Sequence, residues 1–392
     1  MKNIVGQIAS KEDFYPRKKE IKRILQNLDA GANLQIAAPR RVGKSSILYY
    51  LKDYPPEGYI CLYIEVESAR STNEFYRKIY REIFKSEAIS SGKRISEQFK
   101  ANKGGFWARL KGIKIAGVGI DFNDAAEINY EEELTNLLSG LDLGGERLVL
   151  MIDEFPEVIL NIAEDNKGDT VDAKKFLQSN RELRNQPEIR GKVQFVYTGS
   201  NSLNVTAANL DASVLINDLT SVPVDPLRNE EAADLITQVL STYQYSIQQD
   251  QIQYALSKIE WNIPFYFQLL IQEIINQIEP EESITNEVID DSFRKIMEQR
   301  NDHYFEHYVR RLKRVFNSTQ LEFVQLFLNQ LAQTESLSKA QALDMAHGLL
   351  SESETRRVLE ILKYDGYVIN ADLNGYKFNS PILKQWWYNH EC

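Results

Sequence analysis

Cysteine is scarce: the 392-residue chain has two, Cys61 and Cys392. The first lies in an apolar run and the second ends the chain. Two thiols so far apart exclude a disulfide scaffold and a cysteine-built zinc site, which needs several closely spaced ligands. They suit a reducing compartment. Positive charge does not dominate either: 46 Lys and Arg stand against 56 Asp and Glu, a formal charge of −10. That excludes coating of nucleic acid or anionic membrane by bulk attraction, though not a local basic patch. No run reaches the ~18 apolar residues of a membrane span. The richest, IPFYFQLLIQEII from Ile263, is broken by Gln268, Gln272 and Glu273 and reads as a buried helix. The opening MKNIVGQIASKEDF has no apolar signal stretch. The expectation is a cytoplasmic protein without a membrane partner.

What is present is an ordinary globular composition, 43% hydrophobic and 26% charged. The length suits two or three domains. In the first half, strand-like and helix-like segments alternate. Asn33–Ala38, Tyr59–Val66, Leu148–Ile152 and Val193–Tyr197 read as strands, with Leu215–Val222 a weaker one. Ser45–Lys52 and Thr72–Lys85 read as helices. Continuous apolar strands separated by helices predict a parallel α/β sheet covered on both faces. Lys111–Phe122 alternates, carries three glycines and reads as an inserted β-hairpin. Beyond Pro223 the pattern is helical: Glu230–Thr242, Asp250–Ile259, Pro264–Ile278 and Thr285–Arg300. The last ~90 residues predict helices at Thr319–Ala332, Ser338–Leu349 and Ser353–Tyr364, the last capped by Ser353. A β-hairpin around Asn374-Gly375 and a terminal helix in SPILKQWW follow. Three helices and a hairpin make a winged helix-turn-helix.

The most informative stretch is Ala38-Pro39-Arg40-Arg41-Val42-Gly43-Lys44-Ser45, between a predicted strand and a predicted helix. The phosphate-loop pattern G-x-x-x-x-G-K-[ST] occupies that context, with Ala38 here in place of the first glycine. Backbone N–H groups and the helix N-terminus favour phosphate oxygens. Lys44 would reach β- and γ-phosphates, and Ser45 would offer its hydroxyl to Mg²⁺. Alone, the motif also fits a surface turn with a solvated lysine. The strand Leu148–Ile152 ends in Asp153-Glu154, a Walker B pattern. Asp153 would serve the magnesium site, and Glu154 would orient and deprotonate an attacking water. An acidic helix cap before Pro156 gives the same spelling. Thr198 and Ser200, closing the strand Val193–Tyr197, are candidate sensors of a γ-phosphate. A glycine-centred turn capped by Ser and Asn explains them equally.

The matching stretches extend further: FYPRKKEI from Phe14, APRRVGKSS, LVLMIDEFPEVI, FVYTGSNSL, VPVDPL from Val222, WNIPFYFQLL from Trp261, and DGYVI with YKFNSPILKQWW. In this order the chain resembles the archaeal-type ATPases of the AAA+/STAND branch of P-loop NTPases. The resemblance implies an α/β P-loop core (1–223), a helical lid (224–300) and a C-terminal winged-helix domain (301–392). It implies ATP and Mg²⁺ as cofactors and slow ATP hydrolysis. Tyr15, Pro16 and Arg17 would line the adenine pocket. Ala38, Pro39, Arg40, Arg41, Val42, Gly43, Lys44, Ser45 and Ser46 would cradle the phosphates, with Arg40 and Arg41 as the family's paired arginines. Pro264 would fall in the lid motif beside the ribose and phosphates. Trp261-Asn262 stand where the family commonly has a glycine-rich turn. Arg181 and Arg184 are the arginine-finger candidates, although a solvated helix face explains them more simply.

Other features promise less. His303 and His307 are four apart on a predicted helix but lack the H-E-x-x-H order and a third ligand. Glu65 and Glu67 fit exposed alternation on a strand. Arg356, Arg357 and Lys363 on the third C-terminal helix are offset by Glu352, Glu354 and Glu360. The expected function is a nucleotide-controlled switch that signals through its winged helix to a protein partner, with nucleotide-dependent self-association. DNA binding of the origin-recognition type and a non-hydrolysing ATP-binding module are the alternatives.

Overall fold

The computed structural model describes residues 1–90, 128–166, 168–200, 202–371 and 375–392. The expected hairpin at Lys111–Phe122, Asn201 and Asn374 lie outside the described residues. The chain forms two compact units: Arg17–Ala37 with Ile47–Pro223, and Met1–Pro16 with Ala38–Ser46 and Val224–Cys392.

The first, a sheet unit, is α/β. Its strands are β1 (Asn33–Ala37), β2 (Tyr59–Glu65), β3 (Arg147–Asp153), β4 (Val193–Tyr197) and β5 (Leu219–Pro223). They form one parallel sheet in the order β2-β3-β4-β1-β5. Among the described residues its longer helices are α1 (Lys18–Asp29), α2 (Lys44–Asp53, which begins in the other unit), α3 (Thr72–Lys85), α4 (Tyr130–Ser139), α5 (Phe155–Asp165), α6 (Val171–Asn185) and α7 (Leu203–Asn209). Burial explains the spelling of β3: a strand covered on both faces is apolar at every position rather than at alternate ones, and Leu148 through Ile152 are fully buried. Phe75, Phe155 and Phe176 pack edge to face or tilted, with ring centroids 4.9–5.6 Å apart. Removing one such ring costs about 3–5 kcal/mol. The Gln194 side chain donates 2.9 Å bonds to the carbonyls of Leu28 and Ala32, fixing the end of α1 against β4.

The weak strand expected at Leu215–Val222 is shorter. Ser213–Ile216 form a 3-10 turn, and pairing starts only at Leu219. Asp218, between them, is held by Arg184 at 2.9 Å through both Nε and Nη2.

The second, helical unit contains α8 (Asn229–Thr242), α9 (Gln249–Ile259), α10 (Pro264–Ile275), α11 (Asn286–Ile296), α12 (Glu306–Val315), α13 (Ser318–Gln333), α14 (Lys339–Ala346), α15 (Glu352–Tyr364) and α16 (Pro381–His390). A small antiparallel sheet, order β6-β8-β7, joins β6 (Leu337–Ser338), β7 (Val368–Ala371) and β8 (Gly375–Phe378). The helices α13, α14 and α15 and the hairpin β7–β8 follow the order read from the sequence. Two details differ from the sequence reading. Helix α15 is capped by Ser351, not Ser353: Ser351 and Glu354 form a reciprocal capping box. Gly375 is the first residue of β8, opposite Ala371, rather than half of a two-residue turn. Its lack of a side chain serves close strand approach, since a Cβ there would lie 2.8 Å from the Leu337 carbonyl oxygen. The two histidines do not share a helix: His303 sits in a 3-10 turn, Gln299–Tyr304, and His307 in α12.

Candidate functional site

The candidate residues divide between the two units. In the sheet unit, parallel register puts the ends of four strands at one edge. Gln35 of β1 and Ile152 of β3 both pair with Tyr197 of β4, and Glu65 of β2 pairs with Asp153. Asp153 and Thr198 therefore stand at the carboxyl edge of the sheet, from which the chain leaves β1 into Ala38. Ligands of open α/β sheets bind outside that edge.

Asp153 is buried, at 3% exposure, and both its oxygens are bound. Oδ2 accepts the Tyr63 hydroxyl at 2.9 Å, and Oδ1 accepts the Glu154 N–H at 3.1 Å. Burial first, and the Asp153 charge second, push the Tyr63 phenol well up, so it stays a protonated donor. Glu154 takes a left-handed conformation, φ 61°, at the strand-to-helix turn. Its Oε2 accepts the backbone N–H of Ser200 at 2.8 Å and the Ser200 hydroxyl at 2.9 Å. Gly199 makes this approach feasible, because a Cβ there would meet Pro156 Cδ at 2.6 Å. The Thr198 backbone is fully used: its N–H reaches the Ile152 carbonyl and its carbonyl accepts from Phe155. Its hydroxyl is buried and has no hydrogen-bond partner among the described residues. Burying an unpaired hydroxyl costs about 1–3 kcal/mol, a cost that a ligand would relieve.

In the helical unit, the loop Ala38–Ser46 winds around its own lysine. Lys44 Nζ donates to the carbonyls of Ala38 and Pro39 at 2.9 and 2.8 Å. Ala38 has no positive φ, so alanine fits where the pattern has glycine; Arg41 (φ 65°) and Gly43 (φ 99°) supply the left-handed turns. Val42 is buried and Ser45 half-buried. The Ser46 hydroxyl accepts the Ala9 N–H at 3.1 Å.

The Arg41 guanidinium lies over the Phe265 ring, 4.4 Å from its centroid, and burial lowers its pKa. Phe265 follows Pro264, which sits in the first turn of α10. The turn Asp365-Gly366 packs on the same loop: a Cβ at Gly366 would meet Trp261 Cη2 at 2.7 Å and Pro39 Cβ at 3.3 Å. Asp365 is paired with Arg311; burial raises its pKa above the ordinary carboxylate value, and the charges of Arg311, then Arg40 and Lys44, oppose that rise. The half-buried His307 turns both ring nitrogens away from solvent beside Arg40 and Arg41; burial, then those charges, drop its pKa to about 2.

The remaining sequence candidates separate. Tyr15 donates to Asp234 of α8 at 2.9 Å, and Pro16 is exposed. Arg17 belongs to the sheet unit, buried against Glu20 at 3.2 Å. Arg181 donates to the Val214 carbonyl, while Arg184 is consumed by Asp218. Tyr63, His307, Arg311 and Asp365 were not singled out as site residues from sequence. Tyr63 lies two positions before Glu65 on β2, and only strand pairing brings it to Asp153.

No family model and no curated relative matches the sequence. Solved structures do. The chain is similar to the Walker-type ATPase PABY2304 of Pyrococcus abyssi, at 15% identity and a TM-score of 0.63, covering 98% of this chain and 99% of that one. It is also similar to the ORC2 protein of Aeropyrum pernix, solved as ADPNP–ADP complexes, at 11% identity and a TM-score of 0.56, covering 97% and 95%. Five parallel strands and flanking helices, matched over nearly the whole length of both, give the chain the α/β fold of P-loop, AAA+-like proteins.

Proposed function

We propose that the chain binds Mg·ATP on the loop Ala38–Ser46 and hydrolyses it slowly, as a switch read out by its C-terminal winged helix. One observation carries this reading: at the carboxyl edge of the sheet, the Thr198 hydroxyl is buried without a partner among the described residues, beside a buried Asp153 and a Glu154 held by Ser200. In this reading Lys44 leaves the carbonyls of Ala38 and Pro39 for β- and γ-phosphate oxygens. Ser45 and Asp153 hold magnesium; a hydroxyl and a carboxylate are the hard oxygen donors it takes. Magnesium supplies neutralisation of phosphate charge. Glu154 accepts the proton of the attacking water, and Thr198 donates to the γ-phosphate. Tyr15, Pro16 and Arg17 form the adenine end, and Pro264 opens the lid helix.

The switch reading draws support from the helical unit alone. Phe265 of the lid (224–300) and Asp365-Gly366 of the winged helix (301–392) pack on the phosphate loop at Arg41 and Pro39. A change of loop conformation on nucleotide binding would reach both. DNA binding draws less support: on α15, Arg356 is paired with Glu352 and Lys363 with Glu360.

Binding of a fluorescent ATP analogue, with phosphate release, tests the proposal. Lys44→Ala should abolish affinity. Glu154→Gln should keep ATP and lose turnover. Wild-type protein with no affinity for ATP would end the proposal. A mass measurement with a slowly hydrolysed analogue tests self-association.

A further inference from the structure

Tyr63 has no place in the reading so far. Its phenol donates to Asp153 Oδ2 at 2.9 Å. Its ring packs on Tyr49, centroids 4.4 Å apart and planes tilted by 53°. Tyr49 stands one turn after Ser45 on α2. The Asp153 backbone is fixed by full pairing of β2 with β3, from Tyr59↔Arg147 to Glu65↔Asp153. The orientation of the carboxylate about its own bonds is set by its side-chain contacts. Two donors are among them: the Glu154 N–H on Oδ1 and the Tyr63 hydroxyl on Oδ2. The Tyr63 phenol is held in turn by its ring contact with the helix that carries Ser45.

Carboxylates that serve a metal are commonly oriented by such an outer donor, whose loss weakens metal affinity about 10–100-fold. We propose that Tyr63 is a positioning residue for divalent-cation binding: through its hydroxyl it fixes the Asp153 carboxylate in the orientation that receives magnesium. This rests on the nucleotide reading above. The phenol transfers no proton; it donates one hydrogen bond throughout.

The test is Tyr63→Phe, which keeps the ring on Tyr49 and deletes only the hydroxyl. A fluorescent ATP analogue is titrated first in EDTA, then at fixed nucleotide with rising Mg²⁺. Nucleotide affinity in EDTA should stay near wild type, and the melting temperature should fall only modestly, by what the buried Asp153 loses with one hydrogen bond. The Mg²⁺ concentration giving half of the metal-dependent signal should rise about 10–100-fold. Asp153→Ala should abolish that metal-dependent step. A half-saturating Mg²⁺ within twofold of wild type in Tyr63→Phe, with Asp153→Ala behaving as expected, overturns the role of Tyr63 alone. A wild type whose nucleotide binding ignores Mg²⁺, or an Asp153→Ala that leaves the step intact, overturns it together with the assignment of Asp153.

Discussion

Arg311 on α12 grips Asp365 at the end of α15 with two hydrogen bonds, Nε to Oδ2 at 2.8 Å and Nη2 to Oδ1 at 2.5 Å, and both side chains are buried. The fork geometry matches the carboxylate and fixes the turn that packs on Pro39. Breaking a buried pair leaves one charge uncompensated, typically at about 3–5 kcal/mol. Arg311→Leu should therefore lose about that much stability in urea unfolding. The double variant with Asp365→Leu should recover part of it, because no buried charge is then left alone.

His307 links stability to acid. Its pKa in the fold, about 2, lies below its ordinary value of 6.5. The unfolded chain thus binds a proton between those limits that the folded chain does not. Stability from this site is complete above pH 6.5 and is lost as pH falls toward 2. The slope is about 1.4 kcal/mol per pH unit. Urea midpoints between pH 7 and 5 should fall more steeply for wild type than for His307→Leu. Equal slopes would mean the ring is solvated.

Thr198→Val separates fold from function. Among the described residues the hydroxyl has no partner to lose, so the apolar isostere should be neutral or stabilising, by up to about 1–2 kcal/mol. If the hydroxyl donates to the γ-phosphate during turnover, phosphate release should drop about 100-fold. A stability loss with unchanged turnover would make Thr198 structural.

Gly199→Ala should be costly although its backbone is not left-handed. The added methyl would enter Pro156 at 2.6 Å. Overpacking of this kind costs about 1–3 kcal/mol. Any shift of the turn also moves Ser200 off the Glu154 carboxylate, so both melting temperature and turnover should fall.

The local elements were largely legible. Thr72–Lys85 and Val193–Tyr197 form where periodicity placed them. Helix spacing and two-sided burial leave marks along the chain that neighbouring residues carry by themselves. The Ser353 cap missed because Ser351 and Glu354 satisfy each other's backbone N–H groups, a pairing that outcompetes a serine two positions later.

The sequence by itself determined the strand–loop–helix around Lys44, the acidic end of β3 and the class of fold, because each is written in contiguous residues. Only tertiary structure decided the strand order β2-β3-β4-β1-β5, and with it the Tyr63 phenol on Asp153. It also decided that Asp365 and His307 stand near Arg40. Such contacts join residues far apart in the chain, and side-chain packing and strand pairing, not local propensity, select them.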